Sequence, residues 1–169
     1  MFVHDNGKVS VVCATRCGHT SMRNYFGFSQ IPLTDEDEWY KWIMNTTSRR
    51  VLVLRNPLDR WKSAEVFTSA YFDDIKTKHP DVTKEYWLRV HREPYLRAIP
   101  KYIDFEIIPF ENIGDYVPFH PETARTDSAN VHRTEVDMTP EMREELIRYR
   151  YFREHCRIIT PEEWKELTP

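Results

Sequence analysis

The chain has 169 residues, which fits a single domain spanning residues 1–169. Hydrophobic residues make up 40% and aromatic residues 14%, which is enough apolar material for a packed core and excludes a wholly disordered chain. The 24 lysines and arginines stand against 27 acidic residues, and this net charge of -3 argues against a nucleic-acid coat protein.

Location and partners are indicated by what the sequence lacks. No apolar run approaches the roughly 18 residues that a membrane helix needs, and residues 1–10 contain no signal-peptide core. Three cysteines are too few for a disulfide scaffold and are typical of a reducing compartment. We therefore expect a soluble, cytoplasmic protein that binds neither nucleic acid nor a membrane.

Strands and helices alternate along the chain. The predicted elements in order are a strand at 8–14, a helix at 22–28, a helix from Thr34, a strand at 50–55, a helix from Pro57 to about Asp73, a helix at 84–98 broken at Pro94, a strand at 105–110, a helix from Pro140, a strand at 156–160 and a short helix from Pro161. Polar loops are predicted at 76–83 and 114–139. This alternation predicts an α/β domain with a small parallel sheet flanked by helices.

The turn after the first predicted strand has the residues of an anion site. Gly18 lets the backbone approach a phosphate closely, and the helix that follows directs free N–H groups and a positive dipole end at it. Thr20 and Ser21 add hydroxyl donors, and Arg16 adds a permanent positive charge. An ordinary strand-to-helix turn is the competing interpretation of this segment taken alone.

The turn is not that of a nucleoside-triphosphate P-loop. Such a loop needs the pattern G-x-x-x-x-G-K-[ST]. Here His19 occupies the position of the lysine, and the first glycine is missing. Magnesium-dependent ATP chemistry, as in a P-loop kinase, is therefore disfavoured.

A second group of polar residues follows the strand at 50–55. Arg55 stands at the carboxyl end of that strand, where open α/β sheets bind their ligands. Arg60 and Ser63 are three residues apart on the next helix and share one of its faces. A strand-end arginine and a helical serine can together hold one further anionic group.

The two segments resemble motifs of the sulfotransferases that use 3′-phosphoadenosine 5′-phosphosulfate (PAPS). Residues 15–21 resemble that family's 5′-phosphosulfate loop, P-K-x-G-T-T/S. Arg55, Pro57, Arg60 and Ser63 match its 3′-phosphate motif, R-[DN]-P-x-x-R-x-x-S, in residue type and spacing. The second motif is the more specific of the two.

Weaker similarity extends over most of the chain. Residues 91–94 and 105–113 resemble the H-x-x-P segment and a following strand of carbohydrate sulfotransferases, and residues 131–134 and 139–149 resemble their late loop and last helix. The chain departs from the family at three positions: Arg16 replaces the usual lysine, His19 replaces a small residue, and His132 stands where asparagine is common.

The resemblance implies a P-loop-like three-layer fold and a donor site for PAPS, with PAP as the product and no metal. It assigns the 5′-phosphosulfate to the segment from Arg16 to Ser21, the 3′-phosphate to Arg55 and Ser63, and a covering contact to Arg133. The donor-binding residues implied are Arg16, Cys17, Gly18, His19, Thr20, Ser21, Arg55, Ser63 and Arg133.

Catalysis needs a base for the acceptor's proton and a positive group at the leaving phosphate. The resemblance gives the second role to Arg16. For the base, His91 ranks first because it matches the H-x-x-P segment and histidine titrates near neutrality; Glu36, which follows the first helix, ranks second. The acceptor is a hydroxyl or amine, with carbohydrate, peptide tyrosine, lipid and small metabolite all open.

Two further interpretations remain. A module that binds PAP or PAPS without turnover would keep the same fold, and the unusual Arg16, His19 and His132 are compatible with it. A zinc site at Cys13, Cys17 and His19 is disfavoured, since C-x-x-x-C-x-H is not a recognised zinc spacing and Cys13 lies in a buried strand.

Overall fold

The computed structural model describes residues 1–26, 30–32, 36–118, 131 and 133–168. These residues form six strands and six α-helices, and helices separate most of the strands, as in an α/β fold. The strands are β1 Phe2–Asp5, β2 Val9–Cys13, β3 Gln30–Pro32, β4 Arg49–Leu54, β5 Glu106–Pro109 and β6 Arg157–Ile158. The helices are α1 His19–Phe26, α2 Glu36–Asn45, α3 Pro57–Lys78, α4 Lys84–Arg92, α5 Pro140–His155 and α6 Pro161–Leu167, with 3-10 turns at Leu96–Ala98 and Phe110–Asp115.

The described strands form one mixed sheet in the order β3-β1-β2-β4-β5-β6. The four predicted strands, β2, β4, β5 and β6, are parallel neighbours, with Val11 opposite Val51 and Leu52 opposite Ile107. All residues of β2 are buried, as are the last four of β4, which is typical of parallel strands covered on both faces.

The predicted parallel sheet is confirmed for these four strands, but the sheet is antiparallel at its N-terminal side. β1 pairs antiparallel with both β2 and β3. The hairpin between β1 and β2 turns at Asn6 and Gly7, where Gly7 has φ +84° and the Asn6 side chain accepts hydrogen bonds from the amides of Lys8 and Val9. Asn-Gly is a strong hairpin signal. The short strand before it was nevertheless not predicted, because polar residues surround the turn.

Two helix boundaries differ from the sequence prediction, and the predicted helix end at residue 28 and helix start at Thr34 lie outside the described residues. Helix α1 begins at His19 rather than residue 22, and α3 continues to Lys78, through part of the predicted polar loop. The Lys76 ammonium donates to the carbonyls of Pro80 and Val82, which satisfies backbone groups beyond the helix end. Helix α4 ends at Arg92, just before Pro94, where the sequence predicts a kink or break, and the predicted helix from Pro140 is confirmed, with Thr139 as its N-cap.

A buried arginine fixes helix α4 against helix α3. Arg60 of α3 has no exposed surface, and its guanidinium donates to the carbonyls of His91, Arg92 and Glu93 at 3.0, 3.1 and 2.7 Å. These carbonyls end helix α4, where a positive charge is favourable. Arg60 therefore determines where the residues at the end of α4, including His91, lie.

None of the helices in the described ranges combines the length and the apolar character needed to cross a bilayer. The longest, α3 with 22 residues, carries charged side chains along its length, among them Asp59, Lys62 and Asp73. Its buried residues recur every three or four positions, for example at Pro57, Trp61 and Ala64, as expected for a helix that packs one face on a protein core.

We predict that replacing Arg60 by methionine lowers the free energy of unfolding by about 3 kcal/mol or more, because three buried carbonyls lose their charged donor. Lys62→Met is the matched control, since it removes the same charge from the same helix at a half-buried position. It should change stability by no more than about 0.5 kcal/mol. Urea unfolding followed by circular dichroism measures both, and equal stability of the two variants would contradict this role of Arg60.

Candidate functional site

The loop between β2 and α1 holds two left-handed backbone positions. Arg16 has φ +62° and Gly18 has φ +76°. The Cys17 amide donates to the Ala14 carbonyl at 3.1 Å, and the Met22 amide donates to the Gly18 carbonyl at 3.0 Å, which starts α1. The first amides of α1, at His19 and Thr20, have no intrahelical acceptor, and such a turn followed by a helix start favours an anion.

Gly18 is required by both its conformation and its surroundings. A Cβ placed there would lie 2.3 Å from Ile113 Cδ1, and Ile113 is fully buried in the 3-10 turn after β5. The loop therefore packs directly against the 3-10 turn that follows β5, a strand separated from β2 by β4 in the sheet. Glycine is the residue that permits both this approach and the positive φ.

The two motif segments meet at Arg55. This residue follows β4, and its Nη1 donates to the backbone carbonyl of Arg16 in the loop after β2. Its guanidinium also stacks on the Phe110 ring, 4.2 Å from the ring centre. The strand-end arginine thus points towards the loop, across the carboxyl ends of two adjacent parallel strands.

A second link runs from the loop to helix α3. The Arg16 guanidinium donates to the Ser63 hydroxyl from Nη2 at 3.1 Å and from Nε at 3.3 Å. It lies over the Phe67 ring at 4.4 Å. The structure therefore brings Arg16, Arg55 and Ser63, which the sequence motifs singled out separately, into one cluster.

The cluster carries concentrated positive charge. Burial, followed by repulsion from Arg55, lowers the pKa of Arg16 to about 10, and burial is also the main cause of a lowered pKa at Arg55. Both remain protonated at neutral pH. In the described parts of the chain, Arg55 and Arg60 make no salt bridge to a carboxylate. Cations held this close favour an anionic ligand.

Cys17 does not fit the predicted role in donor binding. Its amide donates to the Ala14 carbonyl and is not free for a ligand. Its thiol is fully buried, and burial raises the thiol pKa. The side chain points into the core, where it lies near the hydroxyl of Tyr95. Cys17 therefore offers no polar group to a ligand at the loop surface.

The side chain of His19 is also engaged elsewhere. Its ring stacks on Phe2, with ring centres 3.6 Å apart, and its Nδ1 lies 3.3 Å from His4 Nε2. What His19 can offer an anion is its backbone amide at the start of α1. Beside it, Thr20 is half-buried and Ser21 is buried in the first turn of the helix.

The His91 ring is stacked with that of Phe67, with ring centres 6.4 Å apart, and Phe67 is also the ring that the Arg16 guanidinium covers. The Nδ1 of His91 is 2.9 Å from the Trp87 carbonyl, and because a carbonyl only accepts, the proton is on Nδ1 and Nε2 holds a lone pair. Burial, with repulsion from Arg16 and Arg60, lowers the His91 pKa. The ring is therefore neutral at pH 7 and has the tautomer that a base needs.

The remaining predicted residues contribute less. Arg133 is exposed. The side chain of Glu36 and the whole of His132 lie outside the described residues. Sequence reasoning missed Tyr95, whose buried hydroxyl donates to the Val53 carbonyl at 3.3 Å and lies 3.5 Å from the Arg55 amide. Nothing in the sequence around Tyr95, which directly follows Pro94, indicates a site residue rather than an ordinary core residue.

Comparison with known proteins identified no relative. No family model, no curated protein and no solved structure matches the chain. The interpretation of the site therefore depends on its own geometry and on the two motifs.

We predict that Gly18→Ala is more destabilising than Gly7→Ala. Both positions have positive φ, which costs about 1–2 kcal/mol for alanine, but a Cβ at Gly7 has nothing within 4 Å. The contact with Ile113 should add about 1–3 kcal/mol at Gly18.

The contact itself is tested by Ile113→Val, which removes the Cδ1 atom that the new Cβ would meet. In a double-mutant cycle read out by urea unfolding, Gly18→Ala should cost less in the Ile113→Val background than in the wild type. Additive effects, or equal losses at Gly7 and Gly18, would show that the loop does not pack on Ile113 in this way.

Proposed function

We propose that the protein binds PAPS and transfers its sulfuryl group to a hydroxyl or amine acceptor. The observation that carries this proposal is the double link at the loop: Arg55 donates to the Arg16 carbonyl while the Arg16 guanidinium reaches Ser63. These are the residues that the resemblance assigns to opposite ends of one donor molecule, and they form a single cluster.

The placement of the cluster supports a P-loop-like arrangement. β2 and β4 are parallel neighbours, and each leads through a short polar segment into a helix, α1 or α3. Ligands of open α/β sheets bind beyond the carboxyl ends of such strands. In this proposal the 5′-phosphosulfate lies at the start of α1 and the 3′-phosphate lies beside Arg55 and Ser63.

The transfer requires little covalent participation by the protein. The bond between sulfur and the phosphate oxygen breaks as a bond forms between sulfur and the acceptor oxygen or nitrogen, in line, as in phosphoryl transfer. Arg16 and the amides at the start of α1 stabilise the charge that develops on the leaving phosphate. His91 Nε2 takes the acceptor's proton, with Nδ1–H held by the Trp87 carbonyl.

One observation favours a second candidate, a module that binds PAP or PAPS without turnover. The guanidinium in the position of the family's lysine is engaged with Ser63 and with the Phe67 ring. An arginine held in this way binds an anion but is less able to follow the leaving group than a flexible lysine. PAP binding without sulfate transfer to any acceptor is the result that this candidate predicts.

We predict that Arg55→Ala and Ser63→Ala each weaken PAP binding. Loss of a charge-assisted hydrogen bond to the 3′-phosphate should raise Kd by about 10- to 100-fold for Arg55→Ala and by about 10-fold for Ser63→Ala. Isothermal titration calorimetry measures Kd, and circular dichroism establishes that each variant is folded.

Arg97→Ala is the matched control for this experiment, because Arg97 is an exposed arginine in the 3-10 turn before β5. It should leave Kd for PAP unchanged. Folded Arg55→Ala and Ser63→Ala variants that bind PAP as the Arg97→Ala variant does would refute the 3′-phosphate assignment.

We predict that His91→Ala abolishes transfer of labelled sulfate from PAPS but preserves PAP binding. In the wild type, kcat should fall as pH falls through the lowered pKa of His91, below its ordinary value of 6.5, because protonation removes the Nε2 lone pair. The rate should level off above neutrality. If His91→Ala retains wild-type turnover and kcat still falls at low pH as in the wild type, His91 is not the base, and Glu36 becomes the candidate.

A further inference from the structure

A second polar cluster lies where α1 packs on the N-terminal hairpin. It consists of His4 on β1, Cys13 at the end of β2 and His19 at the start of α1. One nitrogen or sulfur ligand atom from each of the three lies within 4.8 Å of the other two. The side chains of this His4–Cys13–His19 cluster play no part in the proposed donor site, to which His19 contributes only its backbone amide.

The antiparallel pairing of β1 with β2 explains why these residues meet. Phe2 is opposite Cys13 and His4 is opposite Val11, so His4 and Cys13 are neighbours on one face of the hairpin. Helix α1 covers that face and places the His19 ring on Phe2. A zinc site at Cys13, Cys17 and His19 is disfavoured from the sequence; in the structure, the residue beside Cys13 and His19 is instead His4 of β1, a strand that was not predicted.

The cluster is enclosed. His4 and Cys13 have no exposed surface, and His19 is half-buried. The Nδ1 of His4 has no hydrogen-bond partner in the described chain. This orphan nitrogen is not the one that faces His19, which is His4 Nε2.

The nitrogen spacing suits a tetrahedral metal ion. His4 Nε2 and His19 Nδ1 are 3.3 Å apart. Two nitrogen ligands bound to zinc at about 2.0–2.1 Å with tetrahedral angles are separated by about 3.3–3.4 Å. A sulfur at about 2.3 Å from the same ion lies about 3.5 Å from each nitrogen, so with all ligand atoms within 4.8 Å of one another, Cys13 needs to approach by at most about 1.3 Å.

The protonation states of the histidines agree with this geometry. Burial, with repulsion from Arg23, lowers the pKa of His4 and of His19 to about 4, so both are neutral ligands at pH 7. Burial raises the pKa of the Cys13 thiol. Its proton is therefore released to solvent as the sulfur–metal bond forms, and one charge of a divalent cation is neutralised by the thiolate.

We propose that His4, Cys13 and His19 form a binding site for a divalent cation of the zinc class. Two imidazoles and one thiolate are ligands that zinc accepts, and its tetrahedral shell keeps a fourth position for water or an exogenous ligand. This site is independent of PAPS. The competing account is a single hydrogen bond between two neutral histidines beside a packed thiol.

Cobalt(II) distinguishes the two accounts, because it occupies zinc sites and reports its ligands by absorption. The full-length protein, stripped with a chelator, is titrated with cobalt and then with zinc. We expect one equivalent of cobalt to produce a thiolate charge-transfer band and the visible bands of a four-coordinate ion, and zinc to displace them. Absence of the thiolate band in the wild type would overturn the proposal.

Variants assign the ligands. Cys13→Ser and His19→Gln should each weaken cobalt binding on the order of 100-fold, whereas Cys156→Ser, at a cysteine after α5, should bind as the wild type does. Cobalt affinity of the Cys13→Ser variant equal to that of Cys156→Ser would contradict the site. The double variant Cys17→Ala/Cys156→Ser keeps only Cys13, so its thiolate band decides the question even where Cys13→Ser does not fold.

Discussion

The candidate site depends on one hydrogen bond, from the Arg55 guanidinium to the Arg16 carbonyl. It joins the end of β4 to the loop after β2. The residue that accepts this bond, Arg16, has a left-handed backbone conformation. The same loop carries the Arg16 guanidinium to Ser63 on α3. These two contacts hold the two motif segments together, so that one ligand can meet both.

Bringing cations together is unfavourable for folding, and the structure offsets this cost with aromatic faces and backbone carbonyls. Arg16, Arg55 and Arg60 lie over the rings of Phe67, Phe110 and Tyr95, respectively. Arg60 is compensated by the carbonyls at the end of α4. Rings and carbonyls partly stabilise a guanidinium but do not neutralise its charge. The remaining positive potential attracts an anion. A site stabilised in this way is therefore suited to an anionic ligand.

Local sequence patterns predicted the parallel strands and the helix starts at Pro57 and Pro140, and they singled out Arg55 and Ser63, because each rests on spacing or on residue chemistry that acts within a few positions. They did not predict β1, where Asn6–Gly7 was the signal that was overlooked. The His4–Cys13–His19 cluster was beyond such reasoning, because its members come from three elements whose contact is decided by strand pairing and helix packing. For the same reason the burial of Cys17 could not be predicted from its place in the loop.

The central claim is that one cluster recognises both ends of a phosphorylated adenosine. The most direct measurement compares the affinity of the full-length protein for PAP with its affinity for AMP, which lacks the 3′-phosphate, in the wild type and in Arg55→Ala. The account predicts that the wild type binds PAP at least about 10-fold more tightly and that Arg55→Ala binds the two nucleotides about equally. Equal binding of PAP and AMP by the wild type, or a PAP preference that survives in Arg55→Ala, would contradict it.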